Sequence, residues 1–508
     1  NALVDAFAPD TLVTVGGGSE VVFKSALEKV GVEYDEATHS GIYFADTLKL
    51  DTEGRVQVSS LNNAAANGEV AVGNNGIAVI NGSRFMNSAD FVIDGAARFG
   101  SGATVVIDGL NSTGSINLAK AWNSNGTNVN FQDNNAFFNQ AITEVPADAT
   151  ENAGAAVINV TTNAAAFGGD EELYKLVDDN LAAHKNVDTR NVLTAIGRED
   201  GGFIGSDGVL TDTGVNAIEE YFAMPVTAGT YNVAYDAAEQ VTGTIQRRNL
   251  EPSTGLGVWA DVFYASNEAK TIYGGQGYSA DIYGGTLGFD GTFSCGAKLG
   301  LALSVGSGDA DSEKSVGKYG NDADFWGVSI YTGKDIAGLY FSADASYLSF
   351  DNDIKGSVAG ASVKENIDSS VFTIGVRADM TVWDEGFKVV PHVGLRYTKI
   401  DVDDYRGLDS DSMDVFETPV GVKIAGDFEP SAGWTLTPSF DFTIVPQLGD
   451  KDVNTLIGDV DVLDNVYNST LGVNASYGNF TFGLSYRYGF GTNDRSNNAF
   501  QARASYAF

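Results

Sequence analysis

From Leu256 to Phe508, apolar and polar residues alternate one by one through run after run. That periodicity limits the fold more than any other feature, because period two sets successive side chains on opposite faces of a strand. In "LGLALSV", Leu299, Leu301, Leu303 and Val305 share one face. "LYFSADASY" sets Leu339, Phe341, Ala343, Ala345 and Tyr347 against Tyr340, Ser342, Asp344 and Ser346. The closing run "AFQARASYAF" sets Phe500, Ala502, Ala504, Tyr506 and Phe508 against Gln501, Arg503 and Ser505. About twelve such strands can be marked out.

A soluble sandwich also alternates, so three further observations decide. The second face carries small or charged residues: Lys298, Asp344, Arg377, Asp379, Arg396, Lys423, Asp441, Arg487 and Arg503. Charges of both signs suit a polar lumen in which they can pair. The connections alternate between long polar segments (near 267–278, 306–321, 351–369, 401–412, 449–461 and 491–497) and short turns such as "GKDIAG", "WDEGF" and "YGN". Membrane barrels keep that rhythm, with short turns on one side and long loops on the other. Aromatics gather near strand ends, at Trp326, Tyr331, Tyr347, Trp383, Tyr397, Trp434, Tyr477, Tyr488 and Tyr506, as in the girdles at a membrane interface. The reading is a mainly β chain ending in a 12-stranded antiparallel transmembrane β-barrel. Its first strand starts, and its last ends, on the short-turn side.

The formal net charge is -37, which excludes the basic footprint of a nucleic-acid binder and suits a water-exposed surface outside a cell. Cys295 is the one cysteine, so no intrachain disulfide forms. No stretch reaches the roughly 20 apolar residues of a membrane helix, but a barrel strand needs only about 10. The chain starts at Asn1 with no export signal and is read as a processed or truncated form.

Upstream of the barrel the pattern differs. Residues 1–165 are rich in Asn, Gly, Ala and Val, with short apolar stretches such as "GEVAVGNNGIAVING" and "ATVVIDG" ending in turn residues. The expectation is a β-helix-like solenoid, with a β-sandwich as the rival. "SEVVFKSALEKVGV" is expected to form a helix through Val22, Ala26, Leu27 and Val30. Residues 166–231 form a mixed segment. There Asp170 caps a helix carrying Leu173, Leu176, Val177 and Leu181, and "DTRNVLTAIGRE" and "TGVNAIEEYF" are further helices. Residues 232–255 hold a last helix, with Val233, Ala237, Val241 and Ile245 about four apart, stopped by "EPSTG".

From Asn232 onwards the chain resembles the monomeric autotransporters of type V secretion in Gram-negative bacteria. The resemblance rests on a helix followed by "GVWADVFY", then "GYSADIYGGTLGFDG", the Pro-containing "VVPHVGLRYTKI" and the terminal Tyr506-Ala507-Phe508. It implies an outer-membrane barrel, amid lipid and lipopolysaccharide, that exports its own N-terminal passenger to the cell surface. It also implies that Phe500, Tyr506 and Phe508 form a signal for the barrel-assembly machinery, and that the last helix threads the lumen. Arg247 and Arg248 would then pair with Asp344, Asp379 or Asp441, and reversing the two arginines would weaken the barrel or raise its conductance. The mixed segment takes the place of the family's junction or autochaperone region. Some members cut the helix at an Asn-Asn pair; here only Asn232 and Asn249 occur in it, so passenger and barrel are expected to stay joined.

No catalytic, cofactor or metal set is expected. His39, His184 and His392 lack metal-ligand spacing, and no "GxSxG" supports a nucleophile. Gly16–Gly18 lack the lysine of a phosphate loop, and the Asp-rich loops lack the calcium-loop pattern. The passenger is expected to act in adhesion or surface interaction, on a host or neighbouring-cell ligand. A diffusion channel with an external cap and a surface-displayed enzyme are the alternatives.

Overall fold

The structure is a computed structural model. It describes residues 104–117, 128–131, 134–144, 156–251 and 255–508, the last span with short breaks, and the backbone of eight short strands before residue 104. The chain divides into two compact units, Asn1–Val215 and Asn216–Phe508. No helix among the described residues is long and apolar enough to cross a membrane, which says nothing of strands.

In the first unit Leu48–Leu50 pairs antiparallel with Val21–Phe23 and Val56–Val58, and from Val70 on short strands stack in parallel. Val70–Val72 pairs with Ala97–Phe99, Phe91–Val92 with Gly114–Asn117, and Thr104–Asp108 lies between Ile77–Asn81 and Asn128–Phe131. Partners such as Ile77 with Thr104, and Thr104 with Asn128, are 24 to 27 residues apart. Three parallel stacks at that spacing are the coils of a β-helix-like solenoid, in which each turn covers the last. An antiparallel hairpin, Phe138–Glu144 with Ala156–Thr162, adds to Gly114–Asn117 and ends the parallel series. The helix expected at Val22 is not formed there. Val22 lies in the strand Val21–Phe23, whose β-branched and aromatic residues favour extension, while Ala26, Leu27 and Val30 lie outside the described residues.

The mixed segment is helical as expected. Helix α1 (Glu171–Leu181) starts at Asp170, whose side chain accepts from the N–H of Glu172 and Leu173. It buries Leu173, Val177 and Leu181. Helix α2 (Val187–Ile196) is capped by Asn186 in the same way. Helices α3 (Asp212–Phe222) and α4 (Met224–Thr227) lead into α5 (Thr230–Leu250). Gly229 at the entry to α5 has φ +73°, which favours glycine.

The barrel strands are β1 (Gly255–Tyr273), β2 (Gln276–Thr292), β3 (Lys298–Glu313), β4 (Lys318–Ile336), β5 (Leu339–Val358), β6 (Ala361–Met380) and β7 (Lys388–Val402). There follow β8 (Met413–Glu417 and Val420–Ala425), β9 (Trp434–Val445 and Gln447–Asp450), β10 (Val466–Tyr477), β11 (Phe480–Gly491) and β12 (Ser496–Ala507). Each pairs antiparallel with the next, and β1 pairs with β12 from Gly257–Ala507 to Glu268–Ser496, closing the sheet. Closure satisfies every strand edge, as a sheet in lipid requires. β8 and β9 break side by side at Pro419 and Pro446, which have no N–H for the ladder.

Side-chain parity is as expected. Leu299, Leu301, Leu303 and Val305 are outward and exposed, while Lys298 is only 4% exposed on the lumenal side. The lumenal wall is thinned by glycines where rings lie across it. Trp259 covers its cross-strand partner Gly288, and Tyr331 covers Gly300. A Cβ on Gly288 would fall 2.2 Å from the Trp259 ring, so no larger residue fits.

Two expectations change. The long polar segments are mostly not loops. β5 and β6 are 20 residues each, joined by Ala359 and Gly360 alone, both at positive φ. That is the preference of a tight hairpin turn. In "NDADF" the inward Asn321, Ala323 and Phe325 are buried and the aspartates face out, so strand pairing continues past the membrane. Tyr331 is the second change: it is 1% exposed, in the lumen rather than in the girdle.

Candidate functional site

Helix α5 lies inside the barrel, against the wall made by β1 to β7. Its sixteen buried residues include the expected apolar row Val233, Ala237, Val241 and Ile245, the last packed with Trp259, Ala302 and Tyr331, and polar residues on the other sides. Each buried polar group therefore needs a partner from the wall.

At the short-turn end Arg248 makes a two-pronged bond to Asp290, Nε to Oδ2 at 2.6 Å and Nη2 to Oδ1 at 2.8 Å. Both side chains are almost fully buried. Arg248 also reaches Glu251 at 3.1 Å. Tyr331 donates to Asp290 at 2.7 Å and accepts from Trp259 Nε1 at 2.7 Å. Lys298 Nζ donates to the last carbonyls of the chain here, Arg248 O and Asn249 O at 3.1 Å each, and Glu251 O. A cation at a helix C-terminus satisfies its unpaired carbonyls and complements the dipole. Asn249 donates to Thr332 O at 2.7 Å and its carbonyl accepts from Tyr340 at 2.7 Å.

Further along the helix, Glu239 accepts from Arg487 at 2.8 Å. Tyr235 donates to Glu417 and accepts from Gln447 at 2.5 Å. Asp236, fully buried, accepts from Tyr278 at 2.7 Å and from Arg495 at 2.6 Å. Asn232 donates to Val462 O at 3.1 Å.

The expected partners of the helix arginines are taken elsewhere. Asp344 pairs with Arg396 at 2.9 Å, Asp379 with Arg377 at 2.7 Å, and Asp441 with His392 at 3.2 Å. Arg248 takes Asp290 instead, and Arg247 donates to Thr244 on its own helix at 3.0 Å. The physical reason is local competition: strand parity puts all these carboxylates in the lumen, but each of the three already has a basic partner on its own or a nearby strand, and Asp290 is the wall acid beside the end of the helix. Asp290, Asp236 and Arg495 were missed. Asp290 was open to the parity argument, since Leu287 and Phe289 beside it point out.

Between α5 and the opposite wall, β6 to β12, lies a cavity of about 990 Å³. It reaches the short turns at Gly338 and Gly478 and is lined by both signs of charge, including Arg247, Arg377, Asp379, Lys423, Asp441 and Arg503. The far end is bridged by side chains. There Glu220 of α3 accepts from the backbone N–H of Val316 and Gly317, each at 2.9 Å, and from Gln276. Burial pushes its carboxyl above the ordinary glutamate range, and those donors pull against the shift.

On β12, Phe500 and Phe508 face outward. Tyr506 packs on Phe480 with ring centroids 4.7 Å apart and on Phe508 at 5.1 Å. The Phe508 N–H donates to Leu256 O at 2.8 Å, tying the chain end to the first strand.

Residues 258–499 match the family model described as autotransporter beta-domain. The structure is similar to the translocator domain of the autotransporter NalP from Neisseria meningitidis, at 16% identity and TM-score 0.47, over 56% of this chain and 100% of that one. It is also similar to the transport unit of the autotransporter AIDA-I from Escherichia coli, at 14% identity and TM-score 0.44, over 51% of this chain and 91% of that one. The beta domain of the Bordetella autotransporter BrkA gives 15% identity and TM-score 0.42, over 50% and 100%. No curated protein matches the sequence.

Proposed function

Because the chain is an autotransporter, with its β-domain at residues 258–499 and its barrel in the outer membrane, we propose that its exported N-terminal unit acts by binding, as an adhesin or surface-interaction module, and stays joined to the barrel. The observation that carries the reading is α5 itself. It runs through the lumen bonded to the wall near both of its ends, and it connects the N-terminal residues directly to β1. A solenoid supports a binding role because stacked coils offer an extended, repetitive face. No catalysis is assigned to it.

The surroundings follow from the same reading. The outward apolar band contacts lipid and lipopolysaccharide. Phe500, Tyr506 and Phe508 are the residues proposed to be recognised by the barrel-assembly machinery. The cavity of about 990 Å³ favours a diffusion channel as the second reading.

One experiment separates the two. Cells carrying the full chain are compared with cells carrying the chain without residues 1–165, for adhesion to host or neighbouring cells and for uptake of small polar solutes. The binding reading expects adhesion to be lost and uptake to stay the same. Unchanged adhesion with altered uptake would sink it.

A further inference from the structure

The lumenal helix does not fill the lumen. The cavity beside it stays open from the short turns up to the level of Tyr235, Glu417 and Asn468. A helix of about 10 Å diameter occupies one side only of such a barrel, and water and ions would enter the rest from the periplasm.

The outer mouth is different. Here the strands continue past the membrane, and their inward residues are buried, apolar ones such as Tyr319, Ile354 and Val358 beside the paired amides of Asn321 and Asn352. Under them sit the end of α3, all of α4 and the start of α5. Tyr221 meets Tyr405 edge to face at 6.3 Å, and the Tyr405 hydroxyl lies 3.9 Å from Met224 Sδ. A Cβ on Gly229 would come 3.7 Å from Ala310 and Tyr278, so the α4–α5 corner touches the wall there too. Glu220 fastens this group to two outer turns at once, through Val316 and Gly317 of the β3–β4 turn and Gln276 of β2.

We propose that the permeability barrier of this barrel is a stopper at its outer mouth, formed by residues 220–229 packed under the strand extensions and latched by Glu220, and that the lumenal helix is not the barrier. The inference rests on the outer-membrane reading of the barrel. It does not depend on what the passenger binds. A close-packed, largely apolar layer whose few polar groups are buried excludes ions, whereas a half-filled polar lumen with charges of both signs passes them. Glu220 suits a latch because a buried carboxylate held by two backbone N–H groups ties segments distant in sequence by charge-assisted bonds.

The test is single-channel conductance of the purified full-length chain in a planar lipid bilayer. Folding is checked by the heat-dependent shift in gel mobility of barrels. The parent chain and Arg247→Ala, which widens the lumen beside the helix, are both expected to stay closed. Glu220→Ala combined with Tyr405→Ala is expected to raise the open fraction by about tenfold or more, the effect of losing one charge-assisted hydrogen bond and its packing. A folded double variant that stays silent overturns the proposal. So does Arg247→Ala conducting as much as the double variant. If the double variant does not fold, Glu220→Gln alone decides in the same way: brief openings support the stopper and silence overturns it. Steady conductance by the parent chain overturns the stopper while leaving surface display of the passenger, a separate measurement, untouched.

Discussion

Arg248→Ala is expected to lower the stability of the folded barrel by about 3–5 kcal/mol, read from urea unfolding in lipid vesicles. The substitution removes both prongs of the bond to Asp290 and strands that carboxylate, whose side chain is fully buried. Tyr331 still donates to Asp290, which holds the loss toward the lower figure. The wall then loses its grip on the end of α5, and the Lys298 bonds to the last carbonyls are left to hold it. Removing both charges, as in Arg248→Met with Asp290→Asn, is expected to return within about 1–2 kcal/mol of the parent, because a buried pair is costly mainly when broken on one side. Equal losses in the single and double variants would show that the pair is not coupled.

Asp236→Ala is expected to cost a similar amount, about 3–5 kcal/mol. It removes the acceptor of Arg495 and of Tyr278 in one step. Arg495 is 6% exposed at its side chain and would keep the face of Tyr235, 5.6 Å from its guanidinium, and the field of Glu239. That residual cation–π contact contributes about 0.5–2 kcal/mol. Asp236→Asn keeps an acceptor oxygen and is expected to lose clearly less. If Asp236→Ala unfolds at the parent's urea concentration, Asp236 is not what fixes the outer half of α5.

Both pairs show where reading a sequence by its periods succeeds and where it stops. Parity alone assigned Leu299 to lipid and Lys298 to the lumen, because one face of each strand meets hydrocarbon. Asp290 and Tyr331 obey the same parity. Tyr331 was placed in the girdle because it stands near a strand end, yet Ser329 and Gly333 on its own face are lumenal, and the ring needs Gly300 beneath it. Parity does not say which lumenal acid meets the helix. That depends on which wall the helix leans on: its apolar row, Val233, Ala237, Val241 and Ile245, is buried, and Ile245 packs with Trp259, Ala302 and Tyr331, but nothing in the row itself names those partners.

The strand extensions were hidden for another reason. Aspartates on the outward face made 306–321 and 351–369 look like loops, although the inward residues keep strand order. In the N-terminal unit the parallel partners stand 24 to 27 residues apart, a spacing that varies, so the solenoid left a composition but no fixed repeat.

Surface display requires the N-terminal unit to be outside the cell while the barrel is held in the outer membrane. The most direct measurement places a specific protease site in the exposed turn at Gly201–Gly202 and adds that protease to intact cells. The chain is expected to be cut there, while the fragment from Gly202 to Phe508 stays whole in the outer membrane. A chain that remains uncut on intact cells, and is cut only after the outer membrane is broken, would contradict surface display.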